Sequence, residues 1–165
     1  MNCILNHCHE HIAVDFAIIA YYAIAVGATI VFALLSQSKT IKTAALIISG
    51  VWLVSILYFL AVGGSKYFLL VALTDSVLAF LFWRMAKTEL FPAALCCFMI
   101  ANIVVVIVSA AIPLSEFWTI FTLNRIFELM LAYIIGSSIY RIRKLRPPDF
   151  EEAEAMDRSL KFLAG

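Results

Sequence analysis

Four ionisable residues interrupt otherwise apolar stretches of this chain: Asp15, Asp75, Arg125 and Glu128. Asn102 and Asn124 add uncharged amides in similar surroundings. A charged group inside an apolar, lipid-facing segment is costly, so each such residue is a candidate for function. Three carboxylates stand against one guanidinium. Arg125 can pair with Asp75, or with Glu128 three residues along the same helix. Either pairing leaves carboxylates over. A leftover buried carboxylate must stay protonated or hold a cation, which is the arithmetic of a proton or cation site. The bland alternative is a hydrogen-bonded ion pair that fixes which helices pack, since interhelical polar contacts are common glue.

A second cluster lies near the N-terminus. The three histidines fall within five residues, His7-Cys8-His9-Glu10-His11, with Cys3 and Asp15 nearby. Imidazole, thiolate and carboxylate are the usual ligands of zinc and copper. His7 and His11 share a face if the first helix extends outward; His7, His9 and His11 share a side if the segment is extended. The spacing fits no defined zinc motif. A solvated tip, with a Cys3–Cys8 disulfide outside the cell, and a histidine pH sensor are the competing readings. No cofactor is expected elsewhere.

Five apolar runs position these groups: 12–35, 44–62, 67–86, 91–112 and 117–139. Each approaches the roughly 20 residues needed to cross hydrocarbon. The runs are continuous rather than alternating, which argues against strands. Composition agrees. Of 165 residues 64% are hydrophobic and 14% charged, and mean hydropathy is +1.01, too apolar to clothe a small water-soluble domain. The expected fold is an all-α integral membrane protein: a compact bundle of about five transmembrane helices with a short C-terminal amphipathic helix. Residues 1–11 form an outer tip, 12–140 the transmembrane domain, and 141–165 a basic exit and amphipathic helix.

Short connections punctuate the runs. Ser36-Gln37-Ser38-Lys39 ends the first, Gly63-Gly64-Ser65-Lys66 the second, and Pro113 closes the fourth. Thr88 and Ser115 can cap the helices that follow them. Connections this short make neighbouring spans antiparallel. At about 1.5 Å per residue, Asp15 then lies roughly 5 Å inside the outer boundary, and Asp75 and Arg125 roughly 12 Å. Glu128 and Asn102 fall near the midplane, so spans three to five bring polar groups to similar depths.

Lys and Arg orient the chain. Lys39, Lys42, Arg84, Lys87, Arg141, Arg143, Lys144 and Arg146 share one side; the other carries only Lys66, against Glu10 and Glu116. The expected placement is the plasma or inner membrane, N-terminus outside and C-terminus cytoplasmic. Trp118 and Tyr67 serve as outer interface anchors, Trp83 and Tyr140 as inner ones. After Pro147-Pro148, residues Phe150, Met156, Leu160 and Leu163 recur on one helical stripe. With Arg141, Arg143, Lys144 and Arg146 they suit the membrane surface or a partner. Ala23-x-x-x-Gly27, Ala72-x-x-x-Ser76, Ala132-x-x-x-Gly136 and the run Ala93, Cys97, Ala101 permit close helix approach.

Position also excludes. No histidine lies within a span, so an intramembrane bis-histidine haem is not available. No lysine is placed for a retinal-type Schiff base. P-loop, H-E-x-x-H and G-x-S-x-G motifs are absent, and a net charge of +1 gives no hint of nucleic acid. The expected function is a non-enzymatic subunit or accessory protein of a membrane complex, a homo- or hetero-oligomer embedded in the bilayer. The alternative is a small oligomeric transporter or channel for a proton, cation or small solute, using the Asp, Arg, Glu and Asn positions within the spans.

Overall fold

A computed structural model describes residues 2–62, 65–87, 89–112 and 116–145; for residues 2–16, 59–60, 62, 65–67 and 116 it describes the helix but not the side chains. Among the described residues the chain is all-helical, with no strand: α1 (Asn2–Leu35), α2 (Lys39–Val62), α3 (Ser65–Met85), α4 (Leu90–Ala111) and α5 (Glu116–Leu145). All five contain a stretch long and apolar enough to cross a membrane. Their outward surfaces carry large apolar side chains such as Ile24, Leu69 and Leu90, 74%, 71% and 89% exposed. Patches of this kind are not tolerated in water, and the arrangement is consistent with a multi-pass membrane protein.

The short connections are built from local chemistry. Ser36 Oγ donates to Ala33 O at 2.7 Å at the end of α1, and Ser38 Oγ accepts from Ile41 N at 3.5 Å at the start of α2. These serines satisfy orphan groups at two helix ends. Gln37 between them takes the left-handed conformation (φ 54°) that reverses the chain. Ile112 ends α4 in extended backbone (φ −111°, ψ 127°). Pro113 follows it, and a proline disfavours helical geometry in the residue before it. The cap position of α4 is Glu89, extended and without a side-chain cap; Thr88, Ser115, and Pro113 itself lie outside the described residues. Helix α2 starts at Lys39 rather than Ala44 because the amphipathic segment Lys39–Thr43 continues the helix that the apolar run begins.

Each helix packs on the next, and α5 returns to α1, so the five close into a ring; α2 also touches α4 and α5 across it. The core comes from the C-terminal halves of α1, α3 and α5 (Val26, Ala33, Leu78, Phe82, Met130, Leu131, Ile134) and the N-terminal halves of α2 and α4 (Ile41, Ala44, Ala45, Ile48, Leu95, Cys96, Met99). That grouping is what alternating helix directions produce, and it makes α1 and α5 parallel. The packed half lies at the end bearing Lys39, Lys42, Arg84, Lys87, Arg141, Arg143 and Lys144. Trp83 and Tyr140 are exposed near that end, and Trp118 is exposed at the other.

The small-residue stripes on α1 and α5 do not mediate packing within the chain. A Cβ added at Gly27 or Gly136 would meet nothing within 4 Å, and Ala23 and Ala132 are exposed as well. On α4 it is Cys96, not Cys97, that faces α3: its Sγ donates to Ala79 O at 3.4 Å, and Cys97 points outward.

Candidate functional site

The opposite half of the ring is hollow. A cavity of about 390 Å³ lies between all five helices. Ile18, Ile19 and Tyr22 line it from α1, and Ile48, Val51, Trp52, Ser55 and Ile56 from α2. Val71, Asp75 and Leu78 come from α3, Met99 and Asn102 from α4, and Ile120, Leu123, Asn124, Phe127 and Met130 from α5. Ile48, Leu78, Met99 and Met130 also belong to the core, so the packed half forms the floor. The volume falls in the range of small-molecule sites, which are mostly apolar with a few placed polar groups.

Helical register sets those polar groups at one level. Asp75 follows the start of its apolar stretch, Phe68, by seven residues, and Asn124 follows Phe117 by seven. At the helical rise each is about 10 Å from that end. Asn102 precedes Ala111 by nine, about 13 Å on the same measure.

Their hydrogen bonding is incomplete. The neighbours of Asp75 on α3 satisfy themselves: Thr74 Oγ1 donates to Leu70 O and Ser76 Oγ to Ala72 O, at 2.8 and 2.7 Å. Asp75 has no such option. Its residue is 7% exposed and Asn102 is 8% exposed. The Asn102 side chain lies next to the Asp75 carboxyl. Asp75 Oδ2 and Asn102 Oδ1 nevertheless have no hydrogen-bond partner, and both are fully buried. Buried polar atoms are otherwise almost always paired, and an unmet one costs about 1–3 kcal/mol. Among the described residues three buried side-chain atoms are unmet, Ser49 Oγ and these two oxygens, and it is these two whose residues line the chamber.

The other charged pair stands apart. Arg125 bridges to Glu128 on its own helix. Tyr22 Oη donates to the other Glu128 oxygen at 2.9 Å, across 106 residues of sequence. Both Glu128 oxygens are therefore engaged, and the contact ties α1 to α5. The Arg125 side chain is 56% exposed on the outside of the bundle, its guanidinium 5.0 Å from the Phe121 ring centre. The six span positions singled out by sequence thus separate. Asp75, Asn102 and Asn124 line the chamber, whereas Arg125 and Glu128 form a seam beside it. The Asp15 side chain lies outside the described ones.

Sequence reasoning missed Tyr22, Trp52 and Ser55. The adjacent pair Tyr21-Tyr22 in mid-span was the available signal, since a buried tyrosine hydroxyl needs a partner.

Helix α1 covers 7–11, so the backbone there is helical rather than extended. The side chains of His7, Cys8, His9 and His11 lie outside the described ones, as do Arg146, Phe150, Met156, Leu160 and Leu163 altogether. Among the described residues no group of three His, Cys, Asp or Glu side chains could hold a metal.

Comparison of the chain with family models, curated proteins and solved structures gives no match.

Proposed function

We propose that this protein is a multi-pass membrane protein that binds a small solute inside its helical ring, as a transporter or a solute-responsive subunit. One observation carries the reading: the unpartnered oxygens of Asp75 and Asn102 at a 390 Å³ chamber. A purely structural polar contact is selected to close its hydrogen bonds, as Glu128 does with Tyr22 and Arg125. Asp75 instead carries an uncompensated cost, the usual mark of a site whose partner arrives from outside. Lys and Arg at the packed end support a plasma or inner membrane setting with the N-terminus outside. In that setting the chamber occupies the outer half of the bundle.

Asp75→Asn tests this directly. The substitution keeps size, exchanges one acceptor oxygen for an amide donor and removes the charge. The variant is expected to match or exceed the wild-type thermal midpoint in detergent while losing solute uptake in liposomes. A fall in folded yield comparable to that of Glu128→Ala would assign Asp75 to the scaffold instead.

A second reading, association with another copy or a partner subunit, has its own support. Arg125, Leu129, Ala132 and Gly136 are all exposed along one stripe of α5. A guanidinium facing outward in mid-span is costly against lipid, and the small residues beside it would let another helix approach. Gly136→Leu fits the protomer, where the added side chain starts in open space. It is expected to leave the thermal midpoint of the protomer unchanged and to shift a cross-linked or size-separated oligomer to monomer. An unchanged oligomer distribution would remove α5 from the interface.

A further inference from the structure

We propose that the chamber is built for an organic monocation: a primary or secondary ammonium carried on a compact apolar body. The inference rests on the reading of the chamber as a binding site and adds the chemistry of its occupant.

Three features converge on that class. First, the two unmet atoms at the chamber, Asp75 Oδ2 and Asn102 Oδ1, are both acceptors. What completes them must donate hydrogen bonds, and an ammonium offers two or three donors from one centre. Second, the charge balance is one-sided. Among the described residues that line the chamber, Asp75 is the sole acidic side chain, and none is a lysine or arginine. One positive charge neutralises it. An anion would meet the Asp75 charge with nothing to offset it, and a dication would leave one charge unpaired in apolar surroundings. Third, most of the lining is aliphatic or aromatic. A bare metal cation of the hard type requires about six oxygen ligands, and such a wall offers little to hydrated ions. It does suit an apolar body. Trp52 and Phe127 add aromatic rings, the side-chain type that attracts ammonium groups.

The test uses the full-length protein in nanodiscs. The chain has three tryptophans, and Trp52 is the one on the chamber, while Trp83 and Trp118 are exposed on the bundle surface. Replacing Trp83 and Trp118 with phenylalanine makes the remaining fluorescence a reporter of the chamber. Phenethylamine, charged at neutral pH, is titrated alongside its neutral isostere 2-phenylethanol. The expected result is a saturable Trp52 response to the amine and an affinity at least about tenfold weaker for the alcohol, the scale of a hydrogen bond to a charged group. Asp75→Asn is expected to abolish that difference. If the variant does not fold, the amine and alcohol comparison on the wild-type residue decides alone. Equal saturable binding of both ligands would overturn the monocation class and leave the chamber standing as a neutral-solute site. No saturable response to either would overturn the chamber as a site for compounds of this size and, with it, the ligand class.

Discussion

Replacing Glu128 with alanine is expected to lower the thermal midpoint of the detergent-solubilised protein sharply, with a loss of about 2.5–3.5 kcal/mol, the insertion cost of a lone arginine in mid-helix. Two bonds disappear together. Tyr22 loses the acceptor that joins α1 to α5, and Arg125 loses its counter-charge. Arg125 is 56% exposed, so its long side chain can reach toward the membrane surface. That escape holds the loss to the lower end of the range. Glu128→Gln retains an acceptor for Tyr22 and should fall between. The sharper measurement is a double-mutant cycle. Arg125→Leu combined with Glu128→Ala should be less destabilised than Glu128→Ala alone, because no charge is left unpaired. Strictly additive losses would show that the two side chains do not interact in the folded protein.

Phe82→Ala is the second large effect. Phe82 is 0% exposed, at the centre of the packed half. In a water-soluble core this truncation costs about 3–5 kcal/mol, part from transfer and part from the void left behind. The bilayer is as apolar as the core, so the transfer part largely vanishes. The packing part remains, about 2 kcal/mol on the cavity scale of soluble proteins. Thermal unfolding in one detergent, with Phe82→Leu as the milder step, measures it. A midpoint equal to wild type would show that this half is loosely packed. Solute binding in the other half should survive, because Phe82 lies beneath the chamber floor and not on its wall.

These two variants also show how far the sequence could be read. Hydrophobic run length located all five helices, because a bilayer demands length and little else. It located their ends less well. Lys39–Thr43 fails an apolar criterion, yet lysine stems carry a helix to the interface without difficulty. The polar positions were visible as interruptions, and helical rise put them at common depths. Their division into chamber and seam was not visible. Depth follows from residue count, but the direction a side chain faces depends on how each helix is rotated in the ring. On α5, Asn124 and Arg125 are adjacent and point about 100° apart; one enters the chamber and the other leaves the bundle. The small-residue stripes on α1 and α5 face outward for the same reason. Ala132 and Gly136 have the spacing for close approach, and rotation turns them outward.

The closing contact between α1 and α5 bears on how the protein is made. Tyr22 and Glu128 are separated by 106 positions, so at ribosomal speeds of about 5–20 residues per second several seconds pass between their synthesis. During that interval α1 to α4 exist without α5, as an open crescent in which Asp75 and Asn102 lack the wall that α5 supplies. A polar edge of that sort is what insertion machinery or a chaperone subunit would shield. Quality control of this chain should therefore act on the four-helix nascent form, and faults in α5 should expose the whole protein to degradation rather than merely weaken one contact.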